Sequence, residues 1–210
     1  MSADPDLNNR VLVIDDMAEL HDVFRKLLGP KPRTDDLLQL ESMLFDADEA
    51  PASDVAFELD FASQGAEGLA RVRSAVAEHR PYSMAFVDMR MPPGWDGLQT
   101  IEAIWREYHD IEIVICTAYS EYSDRDIVAR LGATDQVLFL RKPFDAIEVR
   151  QLARALTEKW TRRRRVQERL TELEHRVGAL SRELAAVKAQ AFEGNEPRTG
   201  DRTSNNKTPR

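Results

Sequence analysis

The sequence of 210 residues is poor in cysteine, and its single Cys116 excludes an internal disulfide. A chain without disulfides fits a reducing compartment, so we expect a cytoplasmic protein. No apolar run approaches the roughly 20 residues of a membrane-spanning helix, and the opening MSADPDLNNR lacks the apolar segment of a signal peptide. We therefore expect no membrane span, while 42% hydrophobic residues are sufficient for a buried core.

Positive charge is scarce in the first three-quarters of the chain. Residues 1–158 hold 16 Lys and Arg against 30 Asp and Glu, a net charge of −14, whereas residues 159–210 hold 13 against 7, a net charge of +6. An acidic front segment is not typical of a nucleic-acid-binding protein, so we expect no nucleic-acid partner. The basic run RRRR at 162–165 leaves contact with nucleic acid or membrane open, although a solvated helix flank is the favoured interpretation.

Five short apolar runs alternate with stretches of helical periodicity. Continuous apolar runs are typical of strands buried on both faces, and this alternation predicts an α/β fold with a doubly wound, five-stranded parallel sheet. The predicted strands lie within RVLVIDD (10–16), AFELDFAS (56–63), YSMAFVDM (82–89), IEIVICTA (111–118) and QVLFLRKP (136–143). The predicted helices have apolar stripes that include Leu20 with Phe24, Leu69 with Val72, Leu98 with Ile101, Ile127 with Leu131, and Ile147 with Val149 and Leu156.

The domain organisation follows from breaks in this alternation. We expect a flexible N-terminus at 1–9 and the α/β domain at 10–158. Residues 29–55 form an insertion between the first helix and the second strand, with an apolar pattern that suggests a short added helix. A helical extension is predicted at 159–192, and the polar, turn-rich residues 193–210 are typical of a disordered tail.

Apolar residues in the helical extension recur with heptad spacing, which is typical of a coiled coil. The intervals are 4-3-4-3-4-3-4, and the seam consists of Val166, Leu170, Leu173, Val177, Leu180, Leu184, Val187 and Ala191. A helix packed back on its own domain is the alternative. We expect a homodimer through 166–191 with parallel helices, because g-to-e contacts would pair Arg169 with Glu174 and Glu183 with Lys188.

Polar side chains end four of the five predicted strands. Asp15 and Asp16 follow the first strand, Asp88 ends the third, Thr117 ends the fourth and Lys142 ends the fifth. Ligands of such sheets bind at the carboxyl ends of the strands. Three clustered carboxylates repel one another unless a cation lies among them, and oxygen ligands favour Mg²⁺. A lysine and a hydroxyl beside the metal suit a phosphoryl group in transfer, for which a carboxylate can be the nucleophile.

Residues 10–158 resemble the receiver domain of bacterial two-component response regulators, which has a flavodoxin-like fold. The motifs that carry this resemblance are Asp15-Asp16, Asp88 before MPPGWDG, Thr117-Ala118 and Lys142-Pro143. The resemblance implies phosphorelay signalling, in which a histidine kinase or phosphotransfer protein donates a phosphoryl group and thereby switches protein contacts. It also implies a phosphoacceptor signalling domain rather than a turnover enzyme.

The resemblance implies a metal-binding role for four residues. Asp88 is similar to the phosphoacceptor, and Asp16 and Asp88 would bind Mg²⁺ directly. Asp15 would act mainly through water, and the backbone carbonyl of Arg90 would complete the protein ligands.

The resemblance also implies roles for four residues at the phosphoryl group and the switch. Thr117 and the N–H of Ala118 would bind phosphoryl oxygens, and Lys142 would pair with the phosphoryl group. Thr117 and Phe139, which stands three residues before the lysine, occupy the positions of the family's switch residues. The Lys142–Pro143 peptide is expected to be cis.

Other polar residues receive ordinary structural interpretations. Asp96 is expected to cap the third helix, and Cys116 to be a small buried apolar residue. The four histidines share no metal-ligand spacing and are interpreted as surface residues. The loop MPPGWDG is one residue longer than the common MPxxDG pattern, which concerns partner contacts rather than the chemistry.

Two other functions stay open. A haloacid-dehalogenase-type phosphatase also uses a strand-end aspartate with Mg²⁺, but it needs a D-x-D pair, and Arg90 stands two residues after Asp88. The second is a dimeric scaffold that works without phosphorylation, which the absence of a recognisable output module in this sequence motivates.

Overall fold

The computed structural model describes residues 7–30, 56–118, 124–132 and 134–193. The predicted α/β fold is confirmed, because five parallel strands form one sheet in the order β2-β1-β3-β4-β5. The strands are β1 (Arg10–Ile14), β2 (Glu58–Ala62), β3 (Met84–Asp88), β4 (Glu112–Thr117) and β5 (Val137–Arg141). The helices are α1 (Ala18–Leu28), α2 (Gly65–Ala77), α3 (Gly97–Glu107), α4 (Asp124–Leu131) and α5 (Ala146–Glu193).

Successive residues of the strands contribute to two different hydrophobic clusters. In β1, Leu12 and Ile14 belong to a cluster with residues of α2, α3 and α4, whereas Val11 and Val13 belong to a cluster with residues of α1 and α5. Side chains alternate between the faces of a strand, so helices cover both faces of this sheet. That burial explains why the strand sequences are continuously apolar instead of alternating.

Two of the sequence predictions concern residues that the structure does not describe. The short helix predicted within the insertion and the tail from residue 194 onward lie outside the described residues. Gly132 follows α4 with a φ of 80°, a left-handed conformation that favours glycine at the end of a helix. No helix in the described part of the chain is long and apolar enough to cross a membrane.

Helix α5 belongs to two compact units, Met1–Arg164 and one that begins at Arg165. Within the first unit, its buried residues extend from Val149 to Trp160 and Thr161, past residue 158. Ile147 departs from the predicted apolar stripe, because 66% of its surface is exposed. The packing of α5 on the α/β domain therefore includes Trp160 and Thr161, which belong to the helical extension predicted at 159–192.

The second unit exposes the predicted heptad seam. Its helix is continuous through the seam, and the exposed fraction of the described seam residues lies between 42% and 62%. These residues are Val166, Leu170, Leu173, Val177, Leu180 and Leu184. The long helix fits a coiled-coil helix, and its exposed apolar residues lie at the a and d positions.

Three arginines of the basic run at 162–165 form ion pairs with acidic residues of the first unit. Arg163 lies 2.8 Å from Glu112, whose side chain is fully buried at the beginning of β4. Arg164 lies 3.7 Å from Asp110, and Arg162 lies 3.6 Å from Glu158. The interpretation of this run as a solvated flank is therefore wrong for Arg163, which binds a buried carboxylate.

Candidate functional site

Three carboxylates meet at the C-terminal edge of the sheet. Asp15 and Asp16 follow β1, Asp88 ends β3, and each offers an oxygen atom within 4.8 Å of the others. Strands β1 and β3 are direct neighbours with Ile14 opposite Val87, so the residues that follow these positions are adjacent. Asp15 and Asp88 are buried, whereas Asp16 is exposed. The tertiary structure thus brings together the three predicted metal-binding side chains.

The ammonium group of Lys142 lies between two of these carboxylates. Its Nζ atom is 2.8 Å from Oδ1 of Asp88 and 2.9 Å from Oδ2 of Asp15. Burial works to lower the pKa of Lys142, but the two carboxylates outweigh burial and raise the pKa above its ordinary value. The backbone N–H of Lys142 donates to the carbonyl of Thr117 over 2.9 Å, and the Lys142–Pro143 peptide is cis as predicted.

The three carboxylates and Lys142 together carry a net negative formal charge. Burial raises the pKa of Asp88, Lys142 opposes the rise, and the charges of Asp15 and Asp16 add to it. Three ionised carboxylates and one ammonium group leave a formal charge of −2. Mg²⁺ would neutralise that charge, prefers oxygen ligands and retains bound water, which the exposed side of Asp16 can accommodate. The donor set therefore fits Mg²⁺.

The loop after β3 holds the Asp88 backbone against α3. The N–H of Gly97 donates to the carbonyl of Met89 over 3.1 Å, and a Cβ atom at Gly97 would lie 2.6 Å from the carbonyl oxygen of Asp88. Only glycine fits this close approach. Asp96 and Gln99 form a capping box, which confirms Asp96 as the cap of α3. Arg90 lies exposed in the same loop. The role of its backbone carbonyl as a metal ligand stays a prediction.

Thr117 and Ala118 lie beside the cluster at the end of β4. Asp88 is in register with Cys116, so Thr117 is one residue further along the neighbouring strand. The Thr117 hydroxyl donates to the carbonyl of Ala118 over 2.8 Å. Both residues are at least partly accessible to solvent, and their phosphoryl-binding roles stay predictions. Cys116 is buried as predicted, and burial raises the pKa of its thiol.

Phe139 lies on β5, opposite Ile115 of β4. The exposed fraction of its side chain is 44%, and the neighbouring Leu138 is also exposed. An aromatic side chain with this exposure has room to change rotamer, in contrast to the close-packed residues of the core. The predicted switch role of Phe139 is not tested by this geometry.

His21 contributes to the site, contrary to the surface position predicted from the sequence. Its side chain is 8% exposed, and its Nε2 atom lies 2.8 Å from the backbone oxygen of Asp15. The surface assignment of His21 is therefore wrong. The sequence contained a signal, because His21, Phe24 and Leu28 have the i, i+3, i+7 spacing of one helix face.

Comparison with protein families gives a match to the response regulator receiver domain at residues 50–154. This range contains Asp88, Thr117 and Lys142 but begins after Asp15 and Asp16. The structure brings that acidic pair to the same sheet edge across the insertion. The relatives include the acid tolerance regulatory protein ActR of Rhizobium meliloti, which is 32% identical over 93 residues, 44% of this chain and 43% of ActR.

The photosynthetic apparatus regulatory protein RegA of Rhodobacter capsulatus is 31% identical over 75 residues, 36% of this chain and 39% of RegA. These matches span less than half the length of either curated relative.

Among solved structures, a CheY-like receiver domain protein from Methanospirillum hungatei has a TM-score of 0.51 at 16% identity, covering 74% of this chain and 98% of its own. An adenylate cyclase chain from Rhodopirellula baltica has a TM-score of 0.56 at 22% identity, covering 79% of this chain and 98% of its own. These structures share the fold, and the family match places the chain in the response regulator receiver domain family.

Proposed function

We propose that the chain is a phosphorelay response regulator in which Asp88 accepts a phosphoryl group from a histidine kinase or a phosphotransfer protein. The observation that carries this proposal is the Lys142 ammonium group, 2.8 Å from Asp88 within an acidic cluster at the edge of the sheet. A fixed cation beside a carboxylate nucleophile is the arrangement that compensates the charge of a transferring phosphoryl group.

In the proposed reaction, an Asp88 oxygen attacks the phosphorus of a phosphohistidine in line with its P–N bond. A P–O bond forms, the P–N bond breaks, and the donor imidazole, protonated on its other ring nitrogen, leaves as a neutral ring. Lys142 balances the charge of the phosphoryl oxygens, to which the N–H of Ala118 also donates. Asp16, Asp88, the Arg90 carbonyl and, through water, Asp15 would hold Mg²⁺, which would supply further positive charge to those oxygens. One phosphoryl group is accepted per chain, so no turnover of substrate is expected.

In the proposed switch, Thr117 changes its hydrogen-bond partner. Its hydroxyl donates to the Ala118 carbonyl, and it would exchange that acceptor for a phosphoryl oxygen. The movement of Thr117 would leave space into which the exposed Phe139 side chain rotates. The surface around β4 and β5 would then present a different contact to a partner protein.

The test of phosphorylation uses acetyl phosphate with Mg²⁺ and intact-mass spectrometry. The wild-type chain should gain one phosphoryl group, and Asp88→Asn should gain none, because an amide is not a nucleophile. Asp22→Asn, at an exposed position of α1, is the matched control and should be labelled like the wild type. Equal labelling of the Asp88→Asn variant would refute the assignment.

We also propose that the seam at 166–191 pairs with the same seam of a second copy. The proposal is supported by the exposed apolar residues from Val166 to Leu184 and by the opposite charges at the g and e positions. A dimeric response regulator would transmit the phosphorylation state through changed contacts with a downstream protein.

A cytoplasmic location remains a prediction.

The exposed seam equally favours a dimeric scaffold in which phosphorylation is incidental. The two functions differ in a cell that carries the Asp88→Ala variant. Loss of signalling supports the phosphorelay, whereas normal signalling supports the scaffold. A haloacid-dehalogenase-type phosphatase is not supported, because the required acid two residues after Asp88 is replaced by Arg90.

A further inference from the structure

We propose that His21 is a positioning residue of the acidic cluster, which fixes the peptide between Asp15 and Asp16 and thereby the direction of the Asp16 carboxylate. This inference rests on the proposed function, because it concerns the binding of Mg²⁺ at that cluster. The observation that motivates it is the buried imidazole in the first turns of α1, with Nε2 2.8 Å from the Asp15 carbonyl oxygen.

Each hydrogen-bonding group of Asp15 contacts a different part of the fold. Its N–H donates to Ala62 of β2 over 3.0 Å. Its Oδ1 atom accepts from the N–H of Met17 over 2.9 Å, and its Oδ2 atom accepts from Lys142 over 2.9 Å. The carbonyl oxygen is held by His21. Because a carbonyl only accepts, Nε2 of His21 must carry the hydrogen of this bond.

The carbonyl oxygen of Asp15 belongs to the peptide group that leads into Asp16. A peptide group is planar, so a hydrogen bond to its oxygen restricts the rotation of the whole group. That rotation sets the backbone direction at Asp16, whose side chain is exposed and therefore not positioned by core packing. Through this peptide, His21 would hold Asp16 in place without touching the metal.

The imidazole itself is held by the sheet. Its ring centroid lies 4.9 Å from that of Phe61 on β2, with an interplanar angle of 38°. His21 continues the buried stripe of Phe24 and Leu28, where a leucine would satisfy packing alone. A buried carbonyl without a donor is costly, so the N–H group is what distinguishes histidine from an apolar residue at this position.

The test compares three variants of the full chain by calorimetric titration with Mg²⁺ alone. His21→Phe keeps a ring against Phe61 but removes the donor, and His21→Gln keeps an N–H group near the position of Nε2. His109→Phe is the matched control, because His109 also stacks on an aromatic ring, Trp105, at 4.9 Å. We expect His21→Phe to raise the Mg²⁺ dissociation constant about 10-fold, with the other two variants near the wild type.

A second readout separates positioning from damage to the fold. The phosphorylation rate of His21→Phe with acetyl phosphate should approach the wild-type rate once Mg²⁺ is saturating. Wild-type Mg²⁺ affinity in His21→Phe would overturn the inference, as would equal losses in His21→Phe and His21→Gln, since a loss shared by both reflects packing. Failure of the wild-type chain to bind Mg²⁺ would instead overturn the proposed function together with this inference.

Discussion

At the residue scale, burial opposes the ionisation of Asp88. Burial raises its pKa, so the folded chain binds the Asp88 proton more tightly than the unfolded chain does. This contribution to stability is fully present below the unfolded pKa and is lost as the pH rises through the folded pKa. Without Mg²⁺, ionised Asp88 therefore lowers the stability of the folded chain at neutral pH.

We expect Asp88→Asn to raise the Tm of the Mg²⁺-free chain at neutral pH by about 2–4 °C. The gain should shrink as the pH falls into the range in which wild-type Asp88 becomes protonated. Thermal denaturation followed by circular dichroism, at several pH values and with a chelator present, measures the difference. A lower Tm for the variant at neutral pH would mean that Lys142 more than offsets the burial of the charge.

At the scale of elements, Glu112 joins β4 to α5. Its side chain is fully buried and lies 3.1 Å from Nζ of Lys159 and 2.8 Å from a guanidinium nitrogen of Arg163. Burial raises the pKa of Glu112, and the two cations of α5 oppose the rise. The strand thus carries Thr117 at one end and an anchor for the long helix at the other.

We expect Arg163→Met to lower the free energy of unfolding by up to about 3 kcal/mol, because a buried carboxylate loses one of its two cations. Arg162→Met is the control in the same basic run, since Arg162 forms an exposed pair with Glu158 at 3.6 Å and should cost less than about 1 kcal/mol. Urea unfolding of the full chain measures both. Equal losses would show that Glu112 does not depend on Arg163.

At the scale of the whole molecule, we expect the seam at 166–191 to set the oligomeric state. We expect the full chain to be a dimer at micromolar concentration and a truncation after Arg164 to be a monomer, because the truncation keeps the contacts of the first unit and removes the seam. Light scattering measures both masses. A monomeric full chain would refute the dimer, and a dimeric truncation would place the interface in the first unit.

The direction of the two helices is a separate prediction. In a parallel dimer, Leu170→Cys should form a disulfide between copies, because residues at an a position face each other. Glu172→Cys, at an exposed position off the seam, is the matched control and should remain reduced. Cys116 adds no background, since it is buried and burial raises the pKa of its thiol. No cross-link at Leu170 in a confirmed dimer would favour antiparallel helices.

The class of fold and the polar residue at the end of each of four strands were predictable from the sequence. Asp88, Thr117 and Lys142 each end an apolar run, and parallel connections place such ends at one edge. The heptad seam and the cap at Asp96 were also readable, because periodicity and caps are local patterns.

Contacts between groups far apart in the chain could not be predicted from the sequence. Lys142 bonds to Asp15 over 127 residues, and Arg163 bonds to Glu112 over 51 residues. His21 is buried because α1 lies against Phe61 of β2 and the end of β1. Local periodicity assigns a residue to a face of its element, but the group that lies opposite depends on how the elements pack, and no local pattern specifies that arrangement.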